Sequence, residues 1–225
     1  MRRAVGREDR AAAAVIVPAG DQRVTGAAEH HVSSRFRGQP VVPEQHWPGL
    51  RQAAQHRMTG QLDARPRLVA PYFACAAQWY ETIGIGVTGG ELFEFVQRCL
   101  GDPFFGVHLN PGHFIHLDEW PSSPVCEGSQ IALTSGMTLR LDIIPATGSA
   151  YHTTNIEDGV ALADDALRAQ LAQRYPGMLA RVSVRRAFLA DVLGIKLRPE
   201  VLPLSDLAGY LPPFWLAPQL AMRRT

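Results

Sequence analysis

A chain of 225 residues with 46% hydrophobic side chains and a formal net charge of +1 can build one sizeable core. Its overall field gives no reason to attract nucleic acid or an anionic membrane. Mean hydropathy of -0.05 is ordinary for a soluble globular protein, and no run approaches the ~18 apolar residues of a membrane span.

Arg2-Arg3 followed by Ala11 to Val17 faintly suggests an export signal, but Glu8, Asp9 and Arg10 interrupt the approach. Cys75, Cys99 and Cys126 are too few and too scattered for a disulfide framework or a zinc knuckle. A reducing, cytoplasmic setting is the simplest reading.

Residues 1–64 hold nine Arg, no Lys, six acids and four of the eight His, with little sustained periodicity of either 2 or 3.6. Val15-Ile16-Val17 and Val41-Val42 read as short strands at most. Few large apolar residues and no repeating face predict a loosely ordered segment. Residues 65–225 read as the folded domain.

Pro66 opens a helix pattern to about Ile83, with Leu68, Tyr72, Cys75, Ala76 and Trp79 on one face. Thr88-Gly89-Gly90-Glu91 has capping-box spacing ahead of a helix whose face carries Leu92, Phe95, Val96 and Cys99. Strand patterns follow at Phe104 to His108, His113 to Leu117, Gly136 to Ile144 and Ile156 to Ala163.

Asp164-Asp165 caps a helix to about Tyr175, stopped near Pro176-Gly177. A further helix spans about Met178 to Leu193, with Gly194 as its stop and Arg185-Arg186 on its exposed side. The proline-broken tail reads as an ordered strap over the core. Cys75 and Cys99 read as helix packing residues, since neither has a legible His partner.

Chemistry concentrates in three segments. His113 lies in Gly112-His113-Phe114-Ile115-His116-Leu117, Asp142 closes Gly136-Met137-Thr138-Leu139-Arg140-Leu141-Asp142, and Glu157 sits in Ile156-Glu157-Asp158. One imidazole and two carboxylates, each on a strand, form a plausible divalent-cation set. The plain alternatives are a core histidine for His113 and a hairpin start for Glu157. Asp142 within an apolar strand is costly unless paired or metal-bound.

In this order the three segments resemble the second half of the pita-bread metallopeptidases, and most closely the Xaa-Pro aminopeptidase, prolidase and creatinase branch. The resemblance covers about residues 66–220. It implies an α/β (α+β) fold with a curved antiparallel sheet backed by helices, incomplete in its first half. It places His113, Asp142 and Glu157 on metal-ligand positions, with Asp142 in place of the family's longer Glu.

The metal would be manganese, zinc, cobalt or iron. Family members hold two ions, which activate water, polarise the scissile carbonyl and hold the substrate's amino end. The partners implied are a peptide or small-molecule substrate and a second copy in a homodimer, with no nucleic acid or membrane. By resemblance His108 lies near a catalytic, substrate-side His, one residue further from His113 than the family pattern. His116 and Trp120 fall along the substrate side. As plain structure, His108 and His116 line a solvated turn and Trp120 packs.

Two departures bear on activity. Trp120 stands where the family has a second catalytic His, and the family's two Asp ligands from the first half have no counterpart in an Asp-x-Gly context. Asp21 and Asp63 are the nearest substitutes, and a neighbouring chain is another source. The resulting expectation is one ion or none and little aminopeptidase activity. The alternatives are a non-catalytic homologue that binds a peptide or small metabolite, or a truncated, frame-disrupted enzyme remnant.

Overall fold

The computed structural model describes residues 14–18, 65–115, 123–149, 153–213 and 220–224. The fold is mixed α+β, with four helices and a four-stranded open antiparallel sheet. Strand β1 (Ala14–Pro18) pairs antiparallel with β6 (Leu220–Arg224) in a separate two-stranded ribbon. The expected strand at Val15-Ile16-Val17 therefore exists, and its partner lies at the far end of the chain. Val41-Val42 lies outside the described residues.

A π-helical turn (Arg65–Val69) leads into α1 (Ala70–Thr82). This helix buries more than the single face its spacing suggests: Phe73, Ala77 and Tyr80 are enclosed along with Tyr72, Cys75, Ala76 and Trp79. The reason is position, because α1 touches the next helix, the β1–β6 ribbon and the main sheet. Trp79 and Tyr80 meet edge to face, with centroids 5.7 Å apart. Each fully buried large side chain contributes roughly 1.5–3 kcal/mol of transfer free energy.

Helix α2 (Gly89–Leu100) begins at the expected capping box. The Thr88 hydroxyl accepts from Glu91 N–H at 3.2 Å, and Thr88 N–H donates to the Glu91 carboxylate at 2.7 Å. Leu92, Phe95, Val96 and Leu100 are buried, whereas Cys99 is exposed at the edge of that stripe, its thiol against that of buried Cys75. The strand expected over Phe104 to His108 does not form. Asp102 instead folds the chain back, its carboxylate accepting from Phe104 N–H at 2.8 Å and its carbonyl from Phe105 N–H at 2.9 Å. That is the turn chemistry of an Asp-Pro pair, and it overrides local strand preference.

The main sheet is a meander, β2 (His113–Phe114), β3 (Thr138–Asp142), β4 (Glu157–Leu162) and β5 (Val201–Pro203), in spatial order 2-3-4-5. Its strands are shorter than their sequence patterns, and β5 comes from the proline-rich tail, where a strap was expected. Leu139, Leu141 and Val160 join Tyr72, Phe73, Trp79 and Tyr80 in the main core.

Helix α3 (Asp165–Arg174) is capped by the Asp164 carboxylate, which accepts from Leu167 N–H at 2.8 Å. Helix α4 (Pro176–Ala187) runs into a π-helical turn, Phe188–Val192. A small second core of Ala163, Val182 and Leu202 lies beneath these helices. Arg185 and Arg186 are half-buried and do not form an exposed face. Arg185 pairs with Asp206 at 2.6 Å, and the Arg186 guanidinium donates to the carbonyls of Leu197, Arg198 and Val201 before and within β5. No helix among the described residues is long and apolar enough to cross a membrane.

The capping box sets a testable pH response. Hydrogen bonds from Thr88 hold the Glu91 carboxyl below its usual range. Its contribution is therefore fully present above the ordinary carboxylate value and is lost as pH falls through the lowered one. Urea denaturation should show Thr88→Ala costing about 1 kcal/mol at pH 7. Glu91→Ala should also destabilise at pH 7, with the difference from wild type shrinking toward pH 3. A constant difference would assign Glu91 a purely steric role.

Candidate metal centre

Strand register determines which side chains meet. His113 lies directly across from Arg140, and Asp142 directly across from Glu157. Directly paired residues share a face, and so do residues two apart on one strand. His113, Arg140, Asp142 and Glu157 therefore occupy one face of the sheet. Asp158 falls on the other, with Leu139 and Leu141.

The three sequence-selected ligands do converge. Each of His113, Asp142 and Glu157 offers a ligand atom within 4.8 Å of the others. Donors about 2.1 Å from a shared ion stand roughly 3–4 Å apart. The His113 Nε2 to Asp142 Oδ2 distance of 3.6 Å already fits. Both of those side chains are 3% exposed, while Glu157 is 39% exposed and is the one with room to move inward. This is the one group of three such residues among those described.

The imidazole is oriented from behind. His113 Nδ1 lies 2.8 Å from the Phe114 carbonyl oxygen, which can only accept, so Nδ1 carries the proton and donates. Nε2 is thereby turned toward Asp142. In the neutral ring it presents a lone pair to a carboxylate oxygen, an arrangement that a cation between them stabilises. A backbone carbonyl fixing the far nitrogen of a histidine is the usual outer support of a metal ligand.

Gly112 makes this approach possible. It has φ of +154°, and a Cβ there would lie 2.7 Å from the Arg140 carbonyl oxygen and 3.3 Å from Trp79 Cζ2. Only glycine lets β2 come this close to β3 and the core beneath it.

Two supporting residues were missed by attention to the acids and imidazoles alone. Arg140 pairs through Nη1 with Glu157 Oε1. A cation two residues before an acidic strand end was a visible signal. Tyr72, from the first turn of α1, accepts a hydrogen bond from Ile156 N–H at 2.5 Å and so fixes the residue before Glu157. Burial pushes its phenol well above the usual range, so it serves as a neutral anchor. This contact joins residues far apart in the chain and leaves no sequence signal. Asp158, on the core side, has its carboxyl raised by burial, opposed by hydrogen bonds from Ser205 and Gly209.

His108 is exposed in the loop between α2 and β2 and does not join the three-residue group. His116 and Trp120 lie outside the described residues, as do Asp21 and Asp63. Searches with the chain against protein-family models, curated proteins and solved structures give no match.

Two substitutions test the geometry. Gly112→Ala should displace β2 and lower divalent-metal affinity at least tenfold, read by calorimetric titration, with the helical signal retained. Tyr72→Phe leaves the Ile156 N–H without its acceptor and should cost about 1–3 kcal/mol in urea denaturation. Wild-type values in either variant would show that these contacts do not hold the site.

Proposed function

We propose that the chain binds a single divalent metal ion through His113, Asp142 and Glu157, on a scaffold related to the pita-bread metallopeptidases, with little or no aminopeptidase turnover. The observation carrying this reading is the convergence of one oriented imidazole and two carboxylates on adjacent strands. These are the residues, in the order, that the family resemblance selects. Mixed nitrogen and oxygen donors suit manganese, zinc, cobalt or iron.

A divalent ion held there would supply Lewis acidity toward a carbonyl oxygen and lower the pKa of water. The chain's own residues do the positioning. The Phe114 carbonyl keeps the His113 lone pair pointing inward, burial keeps Asp142 in a site of low dielectric, and Arg140 holds Glu157 at the open edge. The ligand set limits the chemistry. Two carboxylates are few for the paired ions of the family enzymes, and the expected second catalytic His is Trp120.

Losing a charge-stabilising group typically lowers rate by ~10²–10³, and loss of an ion removes more. The substrate class remains a peptide with a free amino end, of Xaa-Pro type, bound more readily than it is cleaved.

The test is a manganese and zinc titration of the full chain, alongside hydrolysis of Xaa-Pro and Met-led peptides. Wild type should bind about one ion, His113→Ala should lose that binding, and hydrolysis should stay near background. Absence of metal binding by wild type would overturn the metal reading. Robust turnover abolished by His113→Ala would replace it with an active enzyme whose remaining ligands lie elsewhere in the chain or in a second copy.

A further inference from the structure

Helices α1 and α2 pack against each other, and each brings one cysteine to the contact. Cys75, near the middle of α1, is 1% exposed and belongs to the main core. Cys99, one residue before the end of α2, is exposed. The two thiols are hydrogen-bonded to each other, and both are reduced.

Their surroundings divide the roles. A hydrogen bond from Cys75 holds the Cys99 thiol below its usual range, with partial burial opposing it and the charge of Arg98 assisting. The same hydrogen bond, and then burial, push the Cys75 thiol up. Arg98 is mostly exposed and only loosely paired with Glu94, at 3.9 Å. The outer sulfur thus has both access and thiolate character, while the inner one stays protonated and shielded. Oxidation-sensitive pairs divide the work in this way between an attacking and a resolving thiol.

A disulfide brings its sulfurs to roughly 2 Å, closer than a hydrogen-bonded pair of thiols. The last turn of α2, which ends at Gly101, can supply that movement, because helix ends adjust more readily than helix centres.

We propose that Cys75 and Cys99 form an oxidation-sensitive dithiol, which hydrogen peroxide converts to a disulfide clamping α1 to α2. The Cys99 thiolate attacks one peroxide oxygen. An S–O bond forms, the O–O bond breaks, and the departing hydroxide takes a proton and leaves as water. The sulfur is now a sulfenic acid and the peroxide is reduced. The Cys75 sulfur then attacks the sulfenic sulfur, forming the S–S bond and breaking the S–O bond. The Cys75 proton leaves with the hydroxide as a second water. A dithiol reductant restores both thiols by exchange. Cys75 lies one turn beyond Tyr72, so the clamp holds the helix that anchors Ile156.

The experiment treats the reduced full chain with hydrogen peroxide and maps its peptides by mass without reductant, in wild type, Cys126→Ser, Cys99→Ser and Cys75→Ala. Wild type and Cys126→Ser should yield the linked Cys75–Cys99 peptide, lost again on adding dithiothreitol. Their melting temperature should rise by roughly 5–10 °C on oxidation. Cys99→Ser should form no bridge, and Cys75→Ala should leave Cys99 as a sulfenic acid captured by dimedone. The wild-type map stands by itself if Cys75→Ala does not fold.

Wild type that keeps both thiols free under peroxide would overturn the proposal. So would a bridge from either cysteine to Cys126 or to a second chain, or oxidation of Cys99 to a sulfinic acid with Cys75 untouched. A Cys75–Cys99 bridge that leaves the melting temperature unchanged or lower would overturn the clamp.

Discussion

The antiparallel register between β3 and β4 is the constraint on which the site depends. Asp142 meets Glu157 and Arg140 meets Gly159 only in that alignment. A slip of one residue would turn the liganding side chains of one strand toward the opposite face. The register is secured from the other side, where Leu139, Leu141 and Val160 are fully buried against α1. Apolar burial on one face thus fixes the placement of charged groups on the other, and the same alternation separates Asp158 from Glu157.

The energetics differ across the site. Taking a carboxylate such as Asp142 out of water costs several kcal/mol unless a cation or hydrogen bonds compensate, and Asp142 Oδ2 lies 3.6 Å from His113 Nε2. The Arg140–Glu157 pair is half-exposed and easily rearranged. The centre therefore combines a stiff inner half, His113 and Asp142, with an adjustable outer arm. In the metal site proposed above, such a division would let the outer carboxylate close after the inner pair had engaged an ion.

Much of this was legible in the sequence where the determining physics is local. The capping box at Thr88 and Glu91, the Asp164 cap and the three ligand strands all follow from nearest-neighbour chemistry or from motif order. The Phe104 to His108 segment alternates like a strand, but Asp102-Pro103 turns the chain just before it, and turn chemistry outweighs alternation there. Helical spacing puts Cys99 on the buried stripe but cannot show that it stands at the stripe's exposed edge. Strand β5 was hidden by the proline at its end, which is tolerated because Pro203 terminates the strand. The Tyr72 contact to Ile156 belongs to tertiary structure alone.

The β1–β6 ribbon imposes an order of events. Ala14 faces Arg224 across it, so β1 is synthesised well before β6 and pairs with it only once β6 has left the ribosome. Until then β1 carries two open edges of backbone donors and acceptors, the kind of edge that invites pairing with another chain. Closing so distant a pair costs loop entropy that grows only slowly with length, so the delay arises from vectorial synthesis more than from thermodynamics. Helix α1 touches both strands and emerges between them, which makes it the natural holding surface for β1 during translation.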